Sequence, residues 1–180
     1  QARAMRILKH ADERLDAGEL PQAAALYQRV IGVPEPTLTA TAMHGLGTAL
    51  YRMDREDEAA SVWGQILQLP ETPVTYLAWR ELARLRVRHG DLPGAQKAYL
   101  EAKRRAPPED RPEIDARLGW LAKETGDARG ASRYFAASRG IGGRPLVTIG
   151  LIAVTMIVSI FAFDPRGDEL FNLLALDKFA

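Results

Sequence analysis

WRELARLRVRHGDLPGAQKAYLEAKRRAP, from Trp79 to Pro107, decides the fold of this chain. It divides into one helix near 74–89, a turn at Gly90, and a second helix near 92–105 that stops at Pro107-Pro108. The pattern repeats. Gly18, Asp54, Gly90 and Gly126 stand 36 residues apart, and the same step relates Ala23, Ala59, Ala95 and Ala131. It also relates Tyr27, Trp63, Tyr99 and Phe135, and Ala11, Gly47, Ala83 and Gly119. A further column, Val30, Ile66, Ala102 and Ser138, keeps the register. So many classes in one fixed order mark an internal repeat, in which each unit is a helix pair that needs its neighbours to bury its apolar face.

Each column has a physical task. Small residues on both helices of a unit let the two axes approach at the short end of the 8–10 Å range. The aromatic lies four residues after each alanine, on the same face and one turn on, and is expected to fill the gap against the next unit. Glycine in the turn supplies the left-handed residue that ends the first helix, and aspartate at position 54 tolerates that conformation moderately. Pro21 and Pro93 follow the turn where a helix starts and a missing N–H is harmless. The resulting expectation is eight helices, near 2–17, 21–32, 38–53, 56–69, 74–89, 92–105, 112–125 and 128–139.

These residues resemble the tetratricopeptide repeat (TPR) family. The third unit carries the resemblance best, through Trp79, Leu82, Ala83, Gly90, Ala95, Tyr99, Ala102 and Pro107. Leu46, Gly47, Ala59 and Ile66 carry it in the second unit, and Leu118, Gly119, Gly126, Ala131 and Phe135 in the fourth. Two departures stand out. The period is 36 rather than the family's 34, and His10 occupies a position where leucine is expected, as suits an end repeat. The resemblance implies an all-α solenoid over residues 1–139 whose first helices line a concave, protein-binding side. In family register that lining includes Lys9, His44, Tyr51, Arg52, Arg80, Arg84, Arg88, Arg117 and Trp120. Arg80, Arg84 and Arg88 form one stripe at i, i+4, i+8, suited to an acidic peptide, with Glu81 and Glu101 close enough to offset part of it. The polar clamp of the chaperone-tail-binding TPR domains is not matched: Leu8, Asp12 and Gly45 stand at its positions.

The last part of the chain reads differently. A glycine-rich linker, 140–145, leads to LVTIGLIAVTMIVSIFAF, Leu146 to Phe163, which has no charged residue. As a helix it is roughly 27 Å long, about the thickness of a hydrocarbon core, and it shows no polar face. We expect a single transmembrane helix there, with the lipid bilayer as its partner. Between Asp127 and Asp164 lie Arg129, Arg133, Arg139 and Arg144 and no acid, which places the repeats on the cytoplasmic side of a cytoplasmic membrane. Residues 164–180 then begin an extracytoplasmic loop. The run Arg144-Pro145-Leu146-Val147-Thr148, Leu151-Ile152-Ala153 and the later Leu173-Leu174-Ala175-Leu176 resemble the opening of the rhomboid intramembrane serine protease domain. Thr155 stands where that family commonly has asparagine. The resemblance implies a parent protease whose nucleophile and histidine lie beyond Ala180, this chain being a fragment.

Composition narrows the rest. A net charge of +1 and no alternation of basic with exposed aromatic residues argue against nucleic acid. With no cysteine, disulfides and cysteine-bearing zinc sites are excluded. No Gly-x-Ser-x-Gly, paired-histidine or phosphate-loop motif is present, so no catalytic, metal or cofactor site is expected. Gly45-Leu46-Gly47 reads as close helix packing. Two function classes remain: a TPR adaptor on a rhomboid-like enzyme, and a non-catalytic membrane-anchored TPR scaffold or envelope-assembly component. The orientation is testable in either case. A reporter active only in the cytoplasm should work before Arg3 and fail after Ala180, and Arg139→Glu with Arg144→Glu should weaken that bias; activity at the carboxyl end of the unaltered chain would reject it.

Overall fold

Four identical turns organise the structure, a computed structural model that describes residues 1–139. The expected linker 140–145, span 146–163 and loop 164–180 lie outside the described residues. Within them are eight helices: α1 (Ala2–Asp16), α2 (Leu20–Gln28), α3 (Pro36–Arg52), α4 (Glu56–Ile66), α5 (Thr75–Arg88), α6 (Leu92–Arg105), α7 (Arg111–Glu124) and α8 (Ala128–Ser138). Among the described residues there is no strand, and no helix is long and apolar enough to cross a membrane.

At each turn inside a pair the chain enters the left-handed region: φ is 79° at Gly18, 59° at Asp54, 78° at Gly90 and 81° at Gly126. The next amide then reaches back five residues, Glu19 to the Arg14 carbonyl, Arg55 to Leu50, Asp91 to Arg86 and Asp127 to Ala122, at 2.8–3.0 Å. This double-bonded C-terminal cap satisfies carbonyls that a helix end would otherwise strand. Asp54 is the one non-glycine residue with positive φ among those described. In the last two units the residue after the turn also caps the following helix. Asp91 accepts from the Gly94 amide at 2.9 Å, and Asp127 from that of Gly130 at 2.8 Å.

Between pairs the connections differ from expectation. Helix α2 ends at Gln28 rather than near 32, and α4 at Ile66 rather than near 69. Both finish in i→i+3 bonds, such as Val30 to the Tyr27 carbonyl and Leu69 to that of Ile66, that tighten the chain ahead of the prolines. Helix α3 begins two residues early because the Glu35 carboxylate accepts from the Thr37 and Leu38 amides at 3.1 and 2.5 Å.

Successive helices pack antiparallel in sequence order, and α1 touches α3 as α3 touches α5, so the first helices form a layer of their own. The aromatic column seats differently from the expectation that it faces the next unit. Trp63 lies over Gly47 and Phe135 over Gly119, each within its own unit. A Cβ at Gly47 would stand 2.3 Å from the Trp63 indole nitrogen, and one at Gly119 would stand 2.9 Å from the Phe135 ring. Tyr27 does reach forward, against Gly45 of the second unit. At these three glycines the ring fills the space that a side chain would need. Two apolar cores result, one centred on units one and two and one on units three and four, and α5 contributes to both. Both core tyrosine hydroxyls are paired: that of Tyr27 donates to Asp12, and that of Tyr76 to Asp110, and burial together with this bond pushes the Tyr76 pKa up to about 12.

The seating predicts opposite signs for one substitution at two glycines. Gly47→Ala overpacks Trp63, a loss of about 1–3 kcal/mol that exceeds the helix-propensity gain of about 1 kcal/mol. Gly64→Ala, in the last turn of α4 with open space around it, gains up to about 0.5–1 kcal/mol. Urea melts of the two variants check this; a gain at Gly47 would mean that the ring does not need the gap.

Candidate functional site

Along the layer of first helices, α3, α5 and α7 enclose a cavity of about 280 Å³, with α6 at its back. Its walls include Tyr51, Arg84, Arg117 and Trp120, four of the nine residues that family register assigns to the concave lining. Val87, Leu92, Tyr99, Leu121 and Glu124 complete it. Val87 was open to detection as an apolar residue three positions after Arg84 on an arginine-rich face, and it is exposed. Tyr99 sits on a second helix, and the sequence accounts for it as packing; burial raises the pKa of its hydroxyl.

Trp120 carries the most conspicuous surface in this cavity. It is 53% exposed, large for an indole. Its edge meets Phe135 with centroids 5.8 Å apart, and the Lys123 ammonium stands 5.0 Å from the ring centre. The ring is thus held by packing on one side and presented on the other.

The arginine stripe is not a bare row of charge. Beneath it Glu81 is buried, and its carboxylate accepts from Arg84 at 2.8 Å and from Arg80 at 3.2 Å. Arg80 is half-buried and also lies 3.8 Å from Glu113, so it does not face solvent as the register suggests. Arg88 donates to the Tyr51 hydroxyl at 3.0 Å and pairs with Glu56 at 3.0 Å. Both contacts hold its guanidinium pKa above the usual value. Glu101, expected to offset the stripe, instead binds Arg104 and Arg105 on its own helix. Arg52 donates to the Leu15 carbonyl at 2.6 Å, fastening α3 to the end of α1 rather than opening to a ligand. Arg117 is exposed and ion-pairs with none of the described residues.

Two further positions resolve by packing. His44 is turned into the α3–α5 contact, its Nε2 buried without a hydrogen-bond partner, and desolvation lowers its pKa. At the clamp positions, Asp12 is occupied by Tyr27 and Gly45 lies under the same ring. Among the described residues no cluster of three or more His, Cys, Asp or Glu is placed to hold a metal ion.

A tetratricopeptide repeat family model matches residues 8–66 and 44–110. The chain belongs to the tetratricopeptide repeat family, whose pattern thus covers the first three units, while the fourth follows by its geometry. No curated protein matches the chain.

The His44 environment fixes a pH effect. Its folded pKa is lowered, so the unfolded chain binds the proton more readily. The stabilising contribution is fully present above the unfolded value near 6.5 and is lost as pH falls below it. Melting temperature should therefore drop more between about pH 7.5 and about pH 5.5 in the native chain than in His44→Gln, where that titration is absent. Equal drops would show that the ring is solvated.

Proposed function

We propose that this repeat domain is a protein-recognition module that holds an extended peptide along the α3–α5–α7 layer. The observation that carries the proposal is the cavity with a half-exposed tryptophan on its rim and an arginine, Arg117, that no described acid neutralises. An apolar side chain of the peptide packs against Trp120 and Val87, and a carboxylate is drawn to Arg117 and Arg84. Because Glu81 already binds Arg84, the cavity selects one well-placed acid rather than a run of them.

The membrane anchor is part of the same proposal. Its support is the uncharged run Leu146–Phe163, with four arginines and no acid between Asp127 and Leu146, against Arg166 and Lys178 beside Asp164, Asp168 and Glu169 on the far flank. On this reading the module is cytoplasmic and tethered. The parent we favour is a rhomboid-like intramembrane serine protease that uses the repeats to capture substrates or partners. That reading is supported by the pattern from Arg144 to Ala153 and by Leu173–Leu176. A membrane-anchored scaffold without catalysis is the competing form, and it shares every feature of the groove. The coding sequence beyond Ala180 separates the two: further spans with a Gly-x-Ser-Gly and a distant histidine support the protease.

Recognition is tested with the full chain in nanodiscs and a random peptide library bearing free carboxyl termini. Selected peptides should combine an apolar residue with an acid. Trp120→Ala should weaken them at least about tenfold, the loss of a central aromatic anchor, and Arg117→Gln by a smaller, salt-dependent factor. Unchanged affinity in both variants, with helix content intact, would remove this cavity as the site.

A further inference from the structure

A second recess lies on the other layer, between α6, the start of α7, and α8. It holds about 480 Å³ and is walled by Leu100, Lys103, Arg104, Arg111, Arg133 and Tyr134. Four of these six are cations and none is an acid. Nearby carboxylates match only part of that charge. Lys103 binds the buried Asp115 at 2.6 Å, and Arg104 meets Glu101 at 2.8 Å. Arg111 spends its Nε on the Ala106 carbonyl and keeps its charge. Arg133 is exposed and stands 5.3 Å from the centre of the Tyr134 ring, with Lys103 5.7 Å from the same centre. Leu100, beside them, is 41% exposed. Cations around an aromatic ring, next to a bare leucine, form a surface with both charge and apolar reach.

Chain length says what this surface meets. Arg139, just past α8, is separated from Leu146 by six residues, which span at most about 25 Å. Arg133 lies six residues before Arg139, roughly 9 Å further back along the helix. If Leu146 enters a bilayer, Arg133 on the wall of the recess is tethered within about 35 Å of the hydrocarbon edge. Weak headgroup contacts then become intramolecular and are favoured by a high effective concentration. The segment from Ala128 to Pro145 adds Arg129, Arg139 and Arg144 and no acid.

We infer that the α6–α8 recess is a docking surface for the phosphate headgroups of anionic lipids. Arg104, Arg111 and Arg133 receive the phosphates, and Leu100 dips among the glycerol and upper acyl groups. This rests on the anchored reading of residues 146–163. It leaves the peptide cavity on the first helices unobstructed, because the recess is walled chiefly by the second helices α6 and α8.

The chain contains no cysteine, so Leu100→Cys carries a single environment-sensitive fluorophore, with Met5→Cys on α1 as the distant control. The full chain is reconstituted in phosphatidylcholine vesicles, with and without about a third of phosphatidylglycerol. The Leu100 label should shift to the blue and become accessible to a lipid-phase quencher only when anionic lipid is present, and should return to water in high salt; the Met5 label should not respond. Arg104→Gln with Arg133→Gln, which spares the Lys103–Asp115 pair, should lower the docked-to-free ratio by about fivefold per charge, roughly 25-fold together. A chain that resists alkaline extraction while its Leu100 label stays in water overturns the inference and leaves the anchor standing. Extraction of the chain by alkali overturns both. An equal shift in neutral vesicles on adding inorganic phosphate or polyglutamate assigns the recess to a soluble anion and overturns the lipid.

Discussion

The fold hangs on aromatic rings seated where a side chain is missing. Trp63 over Gly47 and Phe135 over Gly119 join the two helices of a unit, and Tyr27 over Gly45 joins one unit to the next. Dense packing leaves no room for an extra methyl group at such contacts. The glycine and the ring therefore specify each other, and two 36-residue steps relate the Trp63–Gly47 seat to that of Phe135 on Gly119. The turns serve the same end. A left-handed residue followed by a five-residue back-bond sets the angle at which the second helix returns, so the ring arrives over the gap.

Charge is arranged around this frame in two ways. On the first-helix layer three of the arginines are already spoken for, Glu81 lying beneath Arg80 and Arg84 and Glu56 beside Arg88, which leaves Arg117. That layer is electrostatically moderate, and its distinguishing chemistry is aromatic. Around the recess between α6, the start of α7 and α8, the cations outnumber the carboxylates that reach them. The solenoid thus has one face suited to shape recognition and one suited to diffuse negative charge.

Much of the fold was legible from Trp79–Pro107 and its step of 36, because turn glycines, small residues and aromatics report backbone geometry directly. Helix starts at Pro36 and Arg111, and ends at Gln28 and Ile66, were less so. They depend on capping by Glu35 and on i→i+3 bonds ahead of prolines, which shift a boundary by a few residues without altering the pattern. The groove was half legible. Tyr51, Arg84, Arg117 and Trp120 follow from register alone, but Arg52, Arg80 and Arg88 make contacts with Leu15, Glu113 and Glu56, set by neighbouring units that no single repeat reveals. Tyr99 was missed as a wall because a side chain can pack on one face and line a cavity with its edge. His44 was misplaced because the register gives the side of the helix and not the depth of the ring.

Helix α5 belongs to both apolar cores, Ala78 and Leu85 to the first and Tyr76 and Ala83 to the second. The consequence is mechanical. A pull entering beyond α8 acts first on the pairing of α7 with α8, then on the contact of α6 with α7, and reaches the first two units chiefly through α5. Traction on the carboxyl side is therefore absorbed in steps, and α5 is the clutch that determines whether the aromatics Tyr51, Tyr99 and Trp120 of units two to four stay in line or part company.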